Sequence, residues 1–317
     1  MAYSGNPKDY SVAVLYGGTS GEREVSLNSG KCCARALEEK GFAVTLLDPA
    51  SRDDLKRMVE EKFDVAFLAL HGKGGEDGTL QGFLETLGVP YTGSGILATA
   101  LAINKGKAKE LYERAGLRVA ASVIVGKGDV LDDADRQEIV DTCGIPCVVK
   151  PVTEGSSLGM TIVRDAEGLQ EAIDTALAVD DEAMVEQFID GIELTVGVMG
   201  DEAPTAFPVI QILSNEDEFY NYHAKYAAGG STHICPAPLE QEIYDQAQSM
   251  AIAAHAVLGC KGISRTDIML DADGCCWVLE TNTLPGMTET SLIPDAARAA
   301  GMDFGDVCEK LIEMALE

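Results

Sequence analysis

The stretch RTDIMLDADGCCWVLETN, residues 265–282, carries the most specific structural pattern in the chain. Two apolar runs, TDIMLDA and CCWVLET, flank the turn sequence DADG, and this order predicts a two-stranded antiparallel hairpin. Because alternate residues of a strand project from the same face, Glu280 and Asn282 share one face of the second strand. Asp267 lies on the first strand, and Arg265 lies two residues before it on the same face.

These polar side chains need a reason, because strand interiors disfavour aspartate and asparagine. Two carboxylates and an amide oxygen suit Mg²⁺, which binds few protein groups and completes its shell with phosphate and water. The hairpin therefore predicts a magnesium site formed by Asp267, Glu280 and Asn282. A polar, solvated strand face is the simpler alternative. Arg265 would bind a carboxylate or a developing oxyanion there, or else form a salt bridge with a neighbouring acid.

The N-terminal part of the chain alternates between strands and helices. Apolar, β-branched runs predict strands at 11–16, 43–47 and 64–70. Helices are predicted between them, over about 26–40 and 53–62. This alternation predicts right-handed crossovers and a parallel sheet, whose ligands gather at the carboxyl ends of the strands. The glycine-rich turns at 17–22 and 71–79 fall at those ends.

The remainder of the chain predicts two further units. One alanine-rich helix is expected from 96 to about 115, followed by alternating strands and helices up to about 188. The last unit, from about 190, contains a polar loop at 214–236 that carries Lys225 and Tyr226. A loop of that length is uncommon unless it is a lid or a binding loop, and a plain insertion is the alternative.

Composition excludes several classes of function. The 317 residues include 52 acidic and 24 basic side chains, a formal net charge of −28. Such a surface repels phosphate backbones, so nucleic acid is not expected as a partner, and an anionic ligand needs a site built locally from a few lysines, backbone amides and metal ions. The longest apolar runs fall short of the about 18 residues that span a bilayer. The N-terminus has no apolar signal core, so we expect a cytoplasmic protein whose nine cysteines stay reduced.

Residues 155–159, GSSLG, match the G-x-S-x-G pattern of serine hydrolases. That pattern requires a helix after the serine, whereas the following MTIV favours a strand, so we regard the hydrolase interpretation as weak. A phosphate cover is the alternative, because the glycines admit close backbone approach while Ser156 and Ser157 face oxyanions. Lys150 would add a point charge. An ordinary hairpin turn is the third interpretation. His71, beside glycines at a strand end, is either a hydrogen-bonding turn residue or a substrate contact.

Several segments, taken in chain order, resemble those of D-alanine–D-alanine ligases. They are VLYGGTSGEREVSLNSG, HGKGGEDGTLQGFLETLGVPYTGSG, VVKPVTEGSSLGM, AKY and RTDIMLDADGCCWVLETNTLPGMTETSLIP. The resemblance covers nearly the whole chain. It implies an α/β, ATP-grasp fold with an N-terminal Rossmann-like parallel-sheet domain over 1–98. Two α+β subdomains, 99–188 and 189–317, would clasp ATP between them.

The resemblance also implies an enzyme, an ATP-dependent carboxylate–amine ligase of peptidoglycan precursor synthesis. The carboxylate of one D-alanine would attack the γ-phosphate of ATP, and the amine of a second D-alanine would attack the resulting acyl phosphate. ATP would be a substrate, two Mg²⁺ ions would be cofactors with Mn²⁺ as a substitute, and the chain would form a homodimer. The alternatives are a ligase that uses D-serine or D-lactate as second substrate, and a non-catalytic ATP-binding module.

The family pattern assigns roles to individual positions of this sequence. The residues implied in catalysis are Glu22, Ser156, Tyr226, Arg265 and Gly286. The residues implied in amino-acid binding are Glu22, His71, Arg265, Ser291 and Leu292. The residues implied in ATP binding are Lys105, Lys150, Ser156, Ser157, Gly159, Glu186, Gln187, Ile189, Glu193 and Lys225. The metal ligands would be Asp267, Glu280 and Asn282. Gln187 departs from the lysine that is more usual in the family, which affects the expected adenine contacts.

Overall fold

The computed structural model describes residues 3–214, 231–288 and 290–317. The described strands are β1 (Ser11–Leu15), β2 (Ala43–Leu47), β3 (Val65–Leu68), β4 (Ser122–Gly126), β5 (Cys147–Pro151), β6 (Thr161–Val163), β7 (Glu182–Gln187), β8 (Gly191–Met199), β9 (Thr205–Ala206), β10 (Ile210–Ser214), β11 (Ser231–Ile234), β12 (Ile263–Asp271) and β13 (Cys276–Asn282). The described α-helices are α1 (Arg23–Lys40), α2 (Arg52–Glu60), α3 (Thr79–Leu87), α4 (Ile96–Ile103), α5 (Lys105–Arg114), α6 (Asp133–Cys143), α7 (Leu169–Leu177), α8 (Gln241–Leu258), α9 (Leu292–Ala299) and α10 (Phe304–Leu316).

The first sheet is parallel, in the order β2-β1-β3, as the alternating sequence pattern predicts. Helix α3 follows β3 and was not expected from the sequence. Gly78 and Gly88 flank it in left-handed backbone conformations, which glycine adopts without the steric cost of a Cβ atom. Leu80 and Leu84 of α3 are buried in the core that lies against this sheet.

The last two helices of the chain pack onto this N-terminal sheet. Leu311 and Ile312 of α10 share a core with Val12 of β1, Leu37 of α1 and Phe67 of β3. All five side chains are almost fully buried. The first and last parts of the chain therefore form one hydrophobic unit.

The other two sheets of the described chain are antiparallel. The second sheet has the order β4-β7-β5-β6, and α6 and α7 cover its core. The third has the order β11-β10-β8-β12-β13, with β9 paired to β8. Since the segment after GSSLG is strand β6, the helix that a serine-hydrolase site requires does not follow the serine. The boundaries at residues 98 and 188 remain predictions.

The predicted single helix from 96 to about 115 is wrong, because the helix is broken at Asn104. This residue has extended backbone, φ −82° and ψ 95°, and its side chain accepts a hydrogen bond from the Lys107 amide at 2.9 Å. Asparagine is a preferred N-cap because its side chain satisfies an amide that the helix leaves unpaired. The break places Lys105 in the first turn of α5, at the edge of the cleft described below.

The predicted hairpin is confirmed, and its register brings the polar residues together. Asp267 lies opposite Glu280, and Arg265 lies opposite Asn282. A β-bulge after Asp267 shifts the pairing of the next residues. Bulges reorient side chains locally and recur beside active sites.

The nine cysteines all lie in the described part of the chain and are free thiols. Six of them are buried, which agrees with the expectation of reduced cysteines that serve as small apolar side chains. No helix among the described residues is long and apolar enough to cross a membrane.

We expect protonation of His255 to reduce stability. His255 is 1% exposed; its Nε2–H donates to the Gly200 carbonyl at 3.0 Å and its Nδ1 accepts from the Ser264 hydroxyl at 2.8 Å. Burial lowers the pKa of His255. The unfolded chain therefore takes up a proton more readily than the folded one as pH falls through about 6.5, and the free energy of unfolding decreases.

Urea unfolding of the wild type and of His255→Gln between pH 7.5 and 5.5 measures this effect. The glutamine variant should lose less stability over that range than the wild type does, since it has no imidazole to protonate. All other titrating groups are common to both proteins, so equal slopes would contradict the assignment.

Candidate active site

Two adjoining clefts lie beside the hairpin β12–β13. The first lies between strand β5, the loop after it and this hairpin, and its empty space, counted together with solvent at its open mouth, is about 830 Å³. The second, of about 390 Å³, extends from there toward Gly72 and Glu76 of the N-terminal unit. Lining residues common to both clefts are Lys105, Glu154, Gly155 and Glu280. The two clefts therefore meet at one lysine, Lys105, and two glutamates, Glu154 and Glu280.

Most of the residues expected to bind ATP line the first cleft. They are Lys105, Lys150, Ser156, Ser157, Glu186, Gln187, Ile189 and Glu193, together with Asp267 and Glu280 of the expected metal site. Gly159 lies in the same loop, packed against Pro151. Lys225 and Tyr226 lie outside the described residues.

The loop after β5 is held against the N-terminus of α1. Ser156 and Ser157 both have left-handed backbone, with φ of 52° and 58°, a conformation that costs energy in residues other than glycine and that clusters at functional sites. The Ser156 hydroxyl donates a hydrogen bond to the Glu22 carboxylate. At Gly155, a Cβ atom would lie 2.8 Å from Glu22 Oε2, so a larger residue would displace the Glu22 carboxylate from this position.

A second, partly buried carboxylate, Glu76, lies near Glu22 and was missed by the sequence reasoning. Glu76 accepts hydrogen bonds from the amides of Gly72, at 2.7 Å, and Leu284, at 3.3 Å. Burial, reinforced by the charge of Glu22, raises the pKa of Glu76 to about 8. The acidic pair in GGEDG is a local signal, but nothing in the sequence shows which acid turns inward.

Asp267, the first of the expected metal ligands, accepts hydrogen bonds from three side chains. Arg265 donates to both of its oxygens, at 2.9 and 2.8 Å. The Thr195 hydroxyl donates to Oδ1 at 2.6 Å, and the Asn282 amide donates to Oδ2 at 3.2 Å. Arg265 thus forms the salt bridge that was the alternative to substrate binding. Glu280 faces Lys105, whose Nζ lies 3.5 Å from Oε2.

These residues fit a divalent ion in number and chemistry. Among the described residues, no group of three or more His, Cys, Asp or Glu side chains is placed to hold a metal. An ion at the hairpin would instead take the carboxylates of Asp267 and Glu280 and the amide oxygen of Asn282. Magnesium commonly binds with so few protein ligands when phosphate oxygens and water complete its octahedral shell.

His71 is a buried hydrogen-bonding residue in this structure. A carbonyl can only accept, so the Nδ1–H of His71 donates to the Leu284 carbonyl at 3.0 Å. The other nitrogen, Nε2, then accepts from the Ser29 hydroxyl at 3.2 Å, and that hydroxyl in turn accepts from the Met287 amide at 3.3 Å. Burial lowers the pKa of His71, which favours the neutral imidazole. The chain of bonds holds both ends of the 284–287 loop.

The 284–287 loop leads to the N-terminus of α9. A Cβ atom on Gly286 would lie 3.0 Å from Ser291 Oγ, so the backbone comes close to the hydroxyl that precedes the helix. That hydroxyl accepts from the Thr288 amide at 3.0 Å. The side chain of Leu292 is buried in the core, so any contact of Leu292 with an amino acid would come from its backbone.

Three ionic side chains form a cluster at the inner end of the first cleft, where Lys150 and Glu186 line the cleft and Lys109 lies buried beside them. Lys150 donates to Glu186 Oε1 at 2.8 Å, and Lys109 forms an ion pair with Oε2 of the same carboxylate. Burial opposes ionisation of Glu186, but the two lysines outweigh it and lower the pKa of Glu186. Lys109 was missed by the sequence reasoning; its one signal is its position four residues after Lys105, which places both on one face of α5.

Known proteins match this chain over nearly its whole length. The family description "D-ala D-ala ligase C-terminus" matches residues 111–313, and "D-ala D-ala ligase N-terminus" matches residues 48–94. A D-alanine–D-alanine ligase from Syntrophobacter fumaroxidans is 47% identical over 96% of this chain and 97% of its own length. The one from Pelotomaculum thermopropionicum is 44% identical over 96% of both chains.

Solved structures of such ligases resemble this chain over nearly its whole length. The crystal structure of a D-alanine–D-alanine ligase from Bacillus anthracis complexed with ATP superposes with a TM-score of 0.84 at 30% identity, covering 97% of each chain. A D-Ala:D-Ser ligase from Enterococcus faecalis gives a TM-score of 0.84 at 30% identity over 96% of this chain and 99% of its own. The fold is therefore that of the ATP-grasp enzymes. Within that class, the chain belongs to the D-alanine–D-alanine ligase family.

The Ser29 hydroxyl should be important for stability, because Ser29→Ala leaves a buried imidazole nitrogen and a buried amide without partners. An unsatisfied buried polar group costs about 1–3 kcal/mol, and urea unfolding at pH 7.5 measures the loss. Thr86→Ala is the control, since Thr86 is exposed and its hydroxyl bonds only to the Gly82 carbonyl of its own helix. Equal, small losses in both variants would contradict the bonding scheme around His71.

Proposed function

We propose that the chain is an ATP-dependent ligase that joins two molecules of D-alanine into D-alanyl-D-alanine. The observation that carries this proposal is the junction of the two clefts at Lys105 and Glu280. A nucleotide in the first cleft would direct its terminal phosphate toward this junction. An amino acid in the second cleft would present its carboxylate to the same point, beside the loop that carries Gly155.

The chemistry follows from the poor reactivity of a free carboxylate. An amine cannot displace oxide from a carboxylate, whereas phosphate is a good leaving group once the carboxylate oxygen has attacked the γ-phosphorus and ADP has departed. The amine of the second D-alanine then attacks the acyl carbon, phosphate leaves, and the amine loses a proton. Such a transfer depends mainly on positioning and charge neutralisation.

Particular residues would bind the nucleotide. Lys105 and Lys150 would neutralise phosphate charge, and Ser156, Ser157 and Gly159 would cover the phosphates. Glu186, Gln187 and Ile189 would contact adenine, and Glu193 would contact the ribose. Asp267, Glu280 and Asn282 would hold two Mg²⁺ ions, for which Mn²⁺ would substitute, and the bound ions would neutralise charge on the transferring phosphoryl group.

Other residues would bind and orient the amino acids. Glu22, held by Ser156, would pair with the ammonium of the first D-alanine. Arg265 and the Gly286 amide would stabilise the oxyanion of the tetrahedral intermediate. Ser291 and the Leu292 amide, at the N-terminus of α9, would receive the carboxylate of the second D-alanine, since helix N-termini favour anions. His71 would act through the loop that it holds.

Other expectations remain proposals of the same kind. Lys225 would approach the γ-phosphate, and Tyr226 would join Glu22 and Ser156 in a hydrogen-bonded triad that links a lid to the site. The chain would work in the cytoplasm as a homodimer. The match to a ligase for D-serine makes that amino acid the competing second substrate.

The first test measures free phosphate with ATP and Mg²⁺ in the presence of D-alanine, D-serine or D-lactate, with mass analysis of the products. Phosphate release should require D-alanine, and the dipeptide should be the product. If the main product instead contained D-serine or D-lactate, that compound would replace D-alanine as the assigned second substrate. Equal ATP hydrolysis with no amino acid present would contradict the ligase proposal.

Glu280→Gln should reduce kcat by at least about 10³-fold, because the amide keeps the size of the side chain but loses the charge that would hold a cation at the phosphates. Its circular dichroism should match that of the wild type. Glu242→Gln on the exposed start of α8 is the control and should retain full activity. Near-normal turnover of Glu280→Gln would contradict the assignment of Glu280 as a metal ligand.

A further inference from the structure

We propose that Lys109 is a positioning residue for nucleotide binding, which neutralises Glu186 so that the charge of Lys150 stays available to the nucleotide phosphates. This inference rests on the proposed function only in taking the first cleft as the nucleotide site. Lys109 itself is not among the residues that line this cleft, so it would act through Glu186.

The geometry of the three side chains carries the argument. Glu186 offers one carboxylate oxygen to each lysine: Oε1 to Lys150 at 2.8 Å and Oε2 to Lys109. The Lys109 and Glu186 side chains are 8% and 4% exposed, while Lys150 is 12% exposed and lines the cleft. Lys109, the more buried lysine, therefore lies on the side of the Glu186 carboxylate away from the cleft. Lys150 lies on the side that faces the cleft.

Charge counting shows what Lys109 adds. Two ammonium groups and one carboxylate have a net charge of +1, whereas Lys150 and Glu186 alone have a net charge of zero. Within a partly dehydrated cleft, a carboxylate in direct contact with Lys150 cancels most of the attraction that Lys150 exerts on an anion. With Lys109 present, the carboxylate is shared and one positive charge remains for the phosphates.

A role in stability alone explains the buried Lys109 less well than a role in nucleotide binding. Burying an ion pair is often no more stabilising than burying apolar side chains of the same volume, so stability alone gives little reason for a lysine at this position. Lys105, four residues earlier on the same helix, contacts Glu280 at the junction of the two clefts. Helix α5 thus supplies one lysine to the cleft directly and a second through Glu186.

Binding of ADP and of adenosine, measured by calorimetry in EDTA, separates a charge effect from a general disturbance of the cleft. Adenosine reports contacts to the base and ribose, whereas ADP also reports contacts to the phosphates. In Lys109→Met, the affinity for ADP should fall about tenfold, in line with loss of one unit charge near a diphosphate, while the affinity for adenosine should change less than about twofold. The matched control is Lys107→Met, whose lysine is exposed and pairs with Glu110; it should bind both ligands as the wild type does.

A double variant tests the cause. Lys109→Met with Glu186→Gln restores a net charge of +1, so its ratio of ADP to adenosine affinity should return to within about threefold of the wild-type ratio. The ratio also corrects for any contact that Glu186 makes with the base. If Lys109→Met does not fold, the comparison of Glu186→Gln with the double variant replaces it, because neither of these proteins buries a carboxylate that has lost one of its lysines. The ratio of ADP affinity to adenosine affinity should then be lower in the double variant than in Glu186→Gln.

The results that overturn the inference differ from those that overturn the proposed function. The inference fails if Lys109→Met leaves the ratio of ADP to adenosine affinity unchanged. It also fails if the ratio falls and the added Glu186→Gln does not restore it, because Lys109 then does not act through the charge of Glu186. Failure of the wild type to bind either ADP or adenosine would instead contradict the nucleotide site itself.

Discussion

The pairing of β12 with both of its neighbours is the constraint on which the site depends. Asp267 lies opposite Glu280 of β13 on one side and opposite Thr195 of β8 on the other. Because the side chains of a strand alternate between faces, a slip of one residue would turn the Asp267 carboxylate away from the cleft. The Thr195 hydroxyl, bonded to that carboxylate, ties the side chain to the same register.

Charge imposes the second constraint. A chain with a net charge of −28 attracts a nucleotide only where cations are gathered locally. In the described clefts those cations are not isolated: Lys105 lies near Glu280, and Lys150 contacts Glu186. Internal carboxylates therefore hold the lysines in place before a ligand arrives, and phosphate oxygens would then compete with them for the same ammonium groups. Pre-positioned charges of this kind reduce the ordering that accompanies binding.

The parts of the fold that were predictable from sequence are those encoded locally. The DADG turn and its flanking apolar runs specify the hairpin, and the strand–helix alternation specifies the parallel sheet, because each pattern spans a short stretch of chain. The break at Asn104 was missed, since the alanine-rich composition favours one continuous helix and a capping asparagine gives a weaker signal than proline or glycine. The overlooked helix α3 lies between glycines, in a stretch where the turn signals predominate.

The site was less predictable where it depends on distant residues meeting. Lys109 and Glu186 are separated by 77 positions, and the spacing of Lys109 from Lys105 does not by itself show that the lysine meets a buried carboxylate. His71 is similar: its position at a strand end was evident, but its bonds to Ser29 and the Leu284 carbonyl depend on how the 284–287 loop folds back. The motif residues of the hairpin, in contrast, follow directly from strand periodicity.

The contact between the chain's two ends has a consequence for how the protein is made. The sheet formed by the first 70 residues buries its apolar side chains against α10, which includes Leu311 and Ile312. Those residues are synthesised long after the sheet. The sheet therefore keeps an exposed apolar face until α10 has been made, and such surfaces on incompletely folded chains are prone to aggregation.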